Sequence, residues 1–173
     1  MLHAAGQARA AGRGERALIA ANATAAPAAA PALGGGNAFL APEDAFRFSA
    51  RALDDRTLEA SFDVADGYYL YRDKLSFSVE PAAALAAPAL PPGARKHDQW
   101  FGDVDTYRGR LVVRLSLPAA QPGRTLVLKA DAQGCADAGL CYPPVVQQVR
   151  LTLPAAAAGP GPVVAARSKG WFH

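Results

Sequence analysis

Short segments with the composition of β-strands, most of which alternate apolar and polar residues, recur through the middle of the chain and constrain its fold more than any other feature. A hairpin turn is predicted at Ala65-Asp66-Gly67, because glycine readily adopts positive φ. Seven to nine strands, separated by turns every 8–12 residues or so, predict an all-β sandwich or barrel. The segments are AFRFSAR (45–51), TLEASFDV (57–64), YYLY (68–71), LSFSVE (75–80), RLVVRLSL (110–117), RTLVLKAD (124–131) and VVQQVRLTL (145–153).

The two ends of the chain differ in composition from this middle part. Residues 1–37 and 155–173 are rich in Ala, Gly and Pro and have no period that buries a face, so we expect both to be disordered. The folded domain is therefore predicted over residues 38–154. Three arginines followed by ALIAANATAAPAAAPA loosely resemble a signal peptide. A leader of this kind and a merely disordered segment both remain open for residues 1–37.

The distribution of charge argues against a nucleic-acid partner. The chain carries a net charge of +3, but residues 38–154 hold 13 basic and 14 acidic side chains, so the basic excess lies in the two tails. A nucleic-acid-binding domain needs its basic face on the folded part. No strongly apolar run reaches 18 residues, so no membrane span is expected.

The two cysteines, Cys135 and Cys141, lie in QGCADAGLCYPP with five residues between them. The intervening residues favour a turn, which would place the cysteines on facing arms with Cα atoms about 5.5 Å apart, a separation suited to a disulfide. A ring this short stabilises the fold weakly and pins no distant strands together. Both a redox-active and a structural disulfide remain open from the spacing alone.

Two other chemistries use residues of the same region. Cys135, Cys141 and His97 supply three ligands of an open zinc site, although nothing in the sequence brings His97 near the cysteines. Hydrolysis by a serine nucleophile has weaker support still, because the serines lie inside strand patterns and no nucleophile-elbow motif occurs, and no glycine-rich nucleotide-binding motif is present. We therefore expect no bound metal and no cofactor.

Two aromatic clusters, at residues 68–71 and 100–101, precede the cysteines in the sequence. Tyr69 and Tyr71 fall on one face of a predicted strand and Tyr68 on the other, which suits either core packing or a wall around a reactive centre. Trp100 and Phe101 stand on a predicted polar loop and cannot both be buried in one core. One of them is a candidate lid with Gly102 as its hinge, and Asp98 is a candidate proton acceptor for a thiol.

The segments DGYYLYR (66–72), KHDQWFGDVDTYR (96–108) and above all QGCADAGLCYPP (133–144) resemble the N-terminal periplasmic domain of the thiol:disulfide interchange protein DsbD. FLAPEDAFRF (39–48) resembles the start of that domain, and the similarity runs from about Phe39 to Leu153. The resemblance implies an immunoglobulin-like β-sandwich in the periplasm that acts as a protein-disulfide reductase.

The resemblance also implies roles for individual residues. Cys135 and Cys141 would be the redox pair, with Cys141 forming mixed disulfides and Cys135 resolving them. A cap loop over the disulfide would comprise Asp98, Gln99, Trp100, Phe101 and Gly102, with Trp100 where the family often has a capping Phe, and Tyr69 and Tyr71 would line the site. Gln99 stands where the family often has an acidic residue, so a relay of two carboxylates does not carry over.

The partners implied by the resemblance are thioredoxin-like domains. They are the C-terminal domain of DsbD itself, the disulfide isomerase DsbC and thioredoxin-like proteins of cytochrome c maturation. The alternative from a different class is a non-enzymatic immunoglobulin-like binding module with a structural disulfide. The reduction potential of the cysteine pair distinguishes the two.

Overall fold

The computed structural model describes residues 38–155 and 158–167, and nearly all of its regular structure is β-strand. A single turn of helix, α1 (Pro42–Ala45), precedes the first strand, and a 3₁₀ turn (Arg72–Lys74) follows the third. The strands are β1 (Phe46–Ala52), β2 (Thr57–Val64), β3 (Tyr68–Tyr71), β4 (Ser76–Glu80), β5 (Ala94–Asp98), β6 (Gly102–Tyr107), β7 (Arg110–Ser116), β8 (Thr125–Ala132), β9 (Gly134–Ala136), β10 (Val145–Thr152) and β11 (Val164–Ala165).

The strands form three antiparallel sheets, with strand orders β11-β1-β2-β7, β10-β8-β4 and β5-β6-β3-β9. The first two sheets bury their apolar faces in one core. On β7, for example, Leu111, Val113 and Leu115 are buried while the residues between them are exposed, which is the period of two expected of a half-buried strand. This arrangement confirms the predicted immunoglobulin-like β-sandwich.

Strand β3 is buried on both faces and separates the main core from a second, smaller cluster. Tyr68 and Leu70 point into the main core, whereas Tyr69 and Tyr71 point the other way and pack with Cys135. The predicted division of the tyrosines between two faces is therefore confirmed. All four residues of this strand are buried because the strand has a core on each side.

The predicted hairpin at residues 65–67 is wrong. Gly67 has a φ of +81° as expected of a turn, but β2 pairs with β1 and β7, whereas β3 pairs with β6 and β9. The turn therefore carries the chain from one sheet to another. Local turn chemistry indicates where the chain reverses but does not determine which strand becomes the partner.

The predicted polar loop over residues 96–108 is also wrong, because most of it forms the β5–β6 hairpin. Three residues, Gln99 to Phe101, connect the strands, and Gly102 closes the turn with a φ of +70°. Glycine adopts this left-handed backbone conformation without strain, which suits Gly102 as the residue at which the chain leaves the turn and enters β6. The strands were missed because the many charged side chains of this edge hairpin hide the alternation.

Part of the predicted disordered C-terminal tail is ordered. Val164 and Ala165 pair with Ala50 and Ser49 of β1, so this segment covers the edge of the first sheet. Residues 1–37, 156–157 and 168–173 lie outside the described residues, so the expected leader and the end of the tail remain predictions, as does the 38–154 boundary. Within the described residues, no helix has the length and apolar character needed to cross a membrane.

Candidate functional site

The two cysteines form a disulfide at the end of the third sheet. Cys135 lies on β9, opposite Tyr69 of β3, and its side chain is fully buried. Cys141 follows a tight turn and faces Cys135 in an isolated antiparallel bridge, with a Cα–Cα distance of 4.0 Å. The distance is shorter than the expected 5.5 Å or so because backbone hydrogen bonds flank this pair on either side, which makes it a narrow, non-hydrogen-bonded pair.

A buried hydrogen-bond network connects the disulfide to Asp98. The Tyr69 and Tyr71 hydroxyls each donate to Asp98 Oδ2 at 2.8 Å. Tyr71 Oη also lies 3.0 Å from Cys135 Sγ. Because the single hydroxyl proton of Tyr71 is directed at the carboxylate, a lone pair of its oxygen faces the sulfur.

The carboxylate of Asp98 also orders the turn that follows it. Asp98 Oδ1 accepts hydrogen bonds from the backbone N–H of Trp100 at 2.8 Å and of Phe101 at 3.1 Å. Asp98 is 4% exposed, so its two oxygens accept four hydrogen bonds in a dry environment. The same side chain thus determines the shape of the hairpin turn and the orientation of both tyrosines.

These contacts shift the pKa values of the network in opposite directions. Burial raises the pKa of Asp98, but the hydrogen bonds from the Trp100 N–H, the two tyrosine hydroxyls and the Phe101 N–H together lower it more, so it lies below the ordinary value. Burial, and then the hydrogen bond to the Asp98 carboxylate, raises the pKa of Tyr69 and of Tyr71. At neutral pH the carboxylate is therefore ionised and both hydroxyls keep their protons.

We expect Asp98→Asn to destabilise the domain by about 1–3 kcal/mol at pH 7, because an amide NH₂ then faces either the tyrosine hydroxyls or the backbone donors. A carboxylate whose pKa is lowered in the folded state stabilises that state to its full extent above the unfolded-state pKa of about 3.9. This contribution to the free energy of unfolding is lost as the pH falls through the folded-state pKa. The difference between wild type and variant should therefore shrink below about pH 4.

Urea unfolding at pH 7 and pH 3 measures this effect, with Asp73→Asn as the matched control because the Asp73 side chain is 76% exposed. If the free energy of unfolding of Asp98→Asn differed from that of wild type by the same amount at both pH values, the result would contradict an ionised, hydrogen-bonded Asp98. A change in the exchange rate and in the pKa values of the Cys135 and Cys141 thiols of the same variant, measured in the reduced protein, would support a part for Asp98 in proton handling.

The two aromatic residues of the hairpin turn point to different places. The Phe101 ring packs edge-on against Tyr71, with centroids 5.1 Å apart, and the Lys74 ammonium lies 5.1 Å from the Phe101 centroid. Trp100 is 65% exposed and borders an open cleft. As expected, the two rings are not buried together in one core, and the assignment of Trp100 as the cap remains a prediction.

This cleft, of ≈ 350 Å³, is where the buried disulfide meets the surface. Cys141 lines it and is partly exposed, whereas Cys135 is not among the lining residues. Tyr69, Asp98, Gln99 and Trp100 line the same cleft, so the structure brings most of the predicted site residues together. Gln99 is exposed, whereas Phe101 and Tyr71, which pack against each other, are not among the lining residues.

Sequence reasoning missed a set of charged residues around Tyr69. The Arg108 guanidinium lies over the Tyr69 ring at 5.1 Å and the Lys96 ammonium at 4.9 Å. Arg108 also forms a bidentate ion pair with Asp137, which lies between the two cysteines. Arg108 and Asp137 are 29 residues apart, so no local pattern signals their contact.

The zinc alternative receives no support from the geometry. His97 lines the cleft, but its Nδ1 pairs with Asp103 Oδ1 at 2.9 Å, and both cysteines are in the disulfide. Among residues 38–155 and 158–167, no group of three His, Cys, Asp or Glu side chains is arranged to hold a metal ion.

Comparison with protein families identifies this arrangement. The sequence model described as "Thiol:disulfide interchange protein DsbD, N-terminal" matches residues 36–153, which is more than half of the chain and includes both cysteines. The chain belongs to the family of DsbD N-terminal domains. The resemblance inferred from the three sequence motifs is confirmed.

Curated relatives carry the name of the same family. The thiol:disulfide interchange protein DsbD of Ralstonia nicotianae is 46% identical over 129 residues, covering 73% of this chain and 21% of the relative. DsbD 2 of Pseudomonas aeruginosa is 46% identical over 128 residues, covering 72% of this chain and 20% of the relative. The chain thus spans about a fifth of the length of these DsbD proteins.

Solved DsbD N-terminal domains share the fold. The crystal structure of the Neisseria meningitidis domain in its reduced form matches with a TM-score of 0.64 and 30% identity, covering 75% of this chain and 96% of that chain. A second structure, of the complex between the DsbD and PilB N-terminal domains of the same organism, matches with a TM-score of 0.56 and 35% identity, covering 66% and 88%.

Proposed function

We propose that this chain is a periplasmic electron carrier that exchanges the Cys135–Cys141 disulfide with thioredoxin-like protein partners and so acts as a protein-disulfide reductase. The observation that carries the proposal is the asymmetry of the disulfide. Cys135 is fully buried behind Tyr71, while Cys141 opens into a cleft large enough to admit part of a partner. The name of the related proteins, and the solved complex of a similar domain with another protein, support a protein partner.

The exchange proceeds in two balanced steps. In the reduced domain the Cys141 thiolate attacks a sulfur of the partner's disulfide, forming a mixed disulfide, and the partner's second sulfur leaves as a thiolate that takes up a proton. The Cys135 sulfur then attacks Cys141 Sγ, which restores the internal disulfide and releases the partner as a dithiol. Two electrons pass from the domain to the partner.

The network around Asp98 gives the Cys135 proton a path in the second step. In the reduced domain the Cys135 thiol can donate to the Tyr71 oxygen, whose own proton points at the Asp98 carboxylate. A sandwich offers no helix N-terminus to lower the pKa of a thiol, so nearby side chains must accept the proton. Asp98 is connected to this thiol through Tyr71 and lines the cleft, and because its lowered pKa makes it a weak base, it passes the proton on towards solvent rather than keeping it.

The same geometry is compatible with several partners. The candidates are the thioredoxin-like C-terminal domain of DsbD, the isomerase DsbC and thioredoxin-like proteins of cytochrome c maturation. A cleft with Cys141 on its wall and Trp100 at its border can receive a reactive sulfur presented at the surface of such a partner.

The reduction potential of the cysteine pair tests the proposal. Equilibration in graded glutathione buffers, followed by alkylation and mass analysis, should give about −180 to −270 mV, the range of exchange proteins. A value below about −300 mV indicates a structural bridge. That result would favour the non-enzymatic binding module.

Trp100→Ala should raise the rate at which small thiols reduce the disulfide by about three- to tenfold, because this side chain borders the cleft that gives access to Cys141. The rate is measured by mixing the oxidised protein with dithiothreitol, quenching samples with acid at intervals and determining the fraction reduced. Phe101→Ala is the matched comparison, since Phe101 packs against Tyr71 on the other side of the turn. An unchanged rate in Trp100→Ala together with a raised rate in Phe101→Ala would assign the cap to Phe101.

A further inference from the structure

Arg108 connects three parts of the site through one guanidinium group. Nη1 and Nη2 donate to the two carboxylate oxygens of Asp137 at 2.8 and 2.6 Å. Nη1 also donates to the backbone oxygen of Tyr68 at 3.3 Å, and the plane lies over the Tyr69 ring. Both members of the ion pair are about half exposed, so the pair contributes little to global stability. Two parallel hydrogen bonds do, however, fix relative orientation.

The partner of Arg108 lies inside the disulfide ring. Asp137 is in the turn that connects the two cysteines, and its backbone N–H donates to the Gly67 oxygen at 2.8 Å. Arg108 itself directly follows β6, which pairs with β3. The ion pair therefore attaches the turn of the ring to the sheet that holds Cys135.

We propose that Arg108 is a positioning residue for the exchange reaction, which holds Asp137 and thereby keeps the 137–140 turn in place when the disulfide is open. This inference rests on the proposed function. Cys135 is held by the pairing of β9 with β3 in either redox state. The position of Cys141 depends on the turn before it and on the hydrogen bond from the Tyr142 N–H to the Gly134 oxygen.

The Arg108–Asp137 ion pair acts as a clamp on the 137–140 turn, and this clamp favours the oxidised state of the cysteine pair. Reduction by glutathione converts the disulfide and two glutathione thiols into the dithiol and one glutathione disulfide. A fixed turn keeps the two thiols close and favours the oxidised form, because a high effective concentration drives ring closure. Arg108→Gln should therefore raise the equilibrium constant for reduction about fivefold, the most that a half-exposed ion pair can contribute, which corresponds to a potential about 20 mV less negative.

A purely electrostatic role for Arg108 predicts a different pattern. If its charge stabilised the Cys141 thiolate, Arg108→Gln would make reduction harder and Asp137→Asn would make it easier. The clamp predicts that both substitutions make reduction easier, and that the double variant shifts the constant no further than one of them does. The signs of the two single variants separate the explanations.

The experiment is glutathione equilibration of wild type, Arg108→Gln, Asp137→Asn, the double variant and Arg108→Lys. The lysine variant should lie between wild type and Arg108→Gln, because it keeps the charge but not the bidentate geometry. Arg110→Gln is the matched control, since Arg110 pairs with Asp63 at 3.3 Å away from the cysteines, and its constant should match wild type. Urea unfolding of the oxidised proteins checks that each variant is folded.

Shifts of opposite sign in Arg108→Gln and Asp137→Asn, or shifts below twofold in both, would overturn the inference. A wild-type pair that glutathione buffers cannot reduce would instead overturn the proposed function. The two failures are thus distinguishable in one data set.

Discussion

The Cys141→Ser variant is expected to form no mixed disulfide with a protein partner, whereas Cys135→Ser is expected to accumulate one. The Cys141 sulfur borders the cleft, while the Cys135 side chain is fully buried beneath Tyr71. Attack needs a reachable sulfur, so exchange through Cys135 alone should be slower by at least about 100-fold. In Cys135→Ser, the resolving sulfur is absent and the mixed disulfide on Cys141 persists.

The trap uses a thioredoxin-fold protein that keeps only its exposed active-site cysteine, activated as a mixed disulfide with a small aromatic thiol, so that neither protein holds a second sulfur that could resolve the adduct. Each reduced variant is incubated with an excess of this protein, the aromatic thiolate leaves, and the mixture is quenched with acid, alkylated and measured by mass. The double serine variant is the control for unspecific adducts. Equal trapping by the two single variants, or trapping by Cys141→Ser alone, would contradict the assignment of Cys141 as the attacking residue.

Gly134→Ala is expected to have the largest effect on stability, a loss of about 3 kcal/mol. A Cβ built on Gly134 would overlap the backbone oxygen of Tyr69 and lie 2.6 Å from the Phe46 ring. The oxygen belongs to β3, which is paired with β6 and β9, so it cannot move aside without disturbing the sheet. Displacing the backbone at residue 134 also moves Cys135, the next residue. The rate of thiol–disulfide exchange should therefore fall together with the stability.

Urea unfolding of the oxidised proteins measures this loss. Gly159→Ala serves as the matched control, because a Cβ there meets nothing within 4 Å, and its stability should stay within about 0.5 kcal/mol of wild type. A Gly134→Ala protein as stable as that control would show that β9 does not need the close approach to β3.

Alternation of apolar and polar residues predicted most strands because it depends only on which face each strand buries. The alternating segments 110–117 and 124–131 match β7 and β8 to within one residue at each end. Strands β9 and β11 have three and two residues, too short for any alternation to appear. The pairing of β3 with β6 and β9 could not be inferred, since contacts between distant segments decide it.

The site was predictable to a different degree for each residue. The period of two in a strand predicted that Tyr69 and Tyr71 share one face. Their hydrogen bonds to Asp98 could not be predicted in this way, because Asp98 lies 29 and 27 residues away in the sequence. The motifs shared with DsbD N-terminal domains placed Asp98 near the cysteines; the spacing of residues did not. Arg108 and Asp137 escaped notice because nothing before the fold is known brings their charges together.

Electron transfer to a thioredoxin-like protein tests the central claim most directly. The reduced domain is mixed with an equimolar oxidised thioredoxin-fold protein, quenched with acid at intervals and alkylated, and the redox state of both proteins is read by mass. We predict that the domain becomes oxidised as the partner becomes reduced, much faster than with the same concentration of glutathione disulfide. Transfer no faster than with glutathione disulfide would contradict a disulfide built to exchange with protein partners.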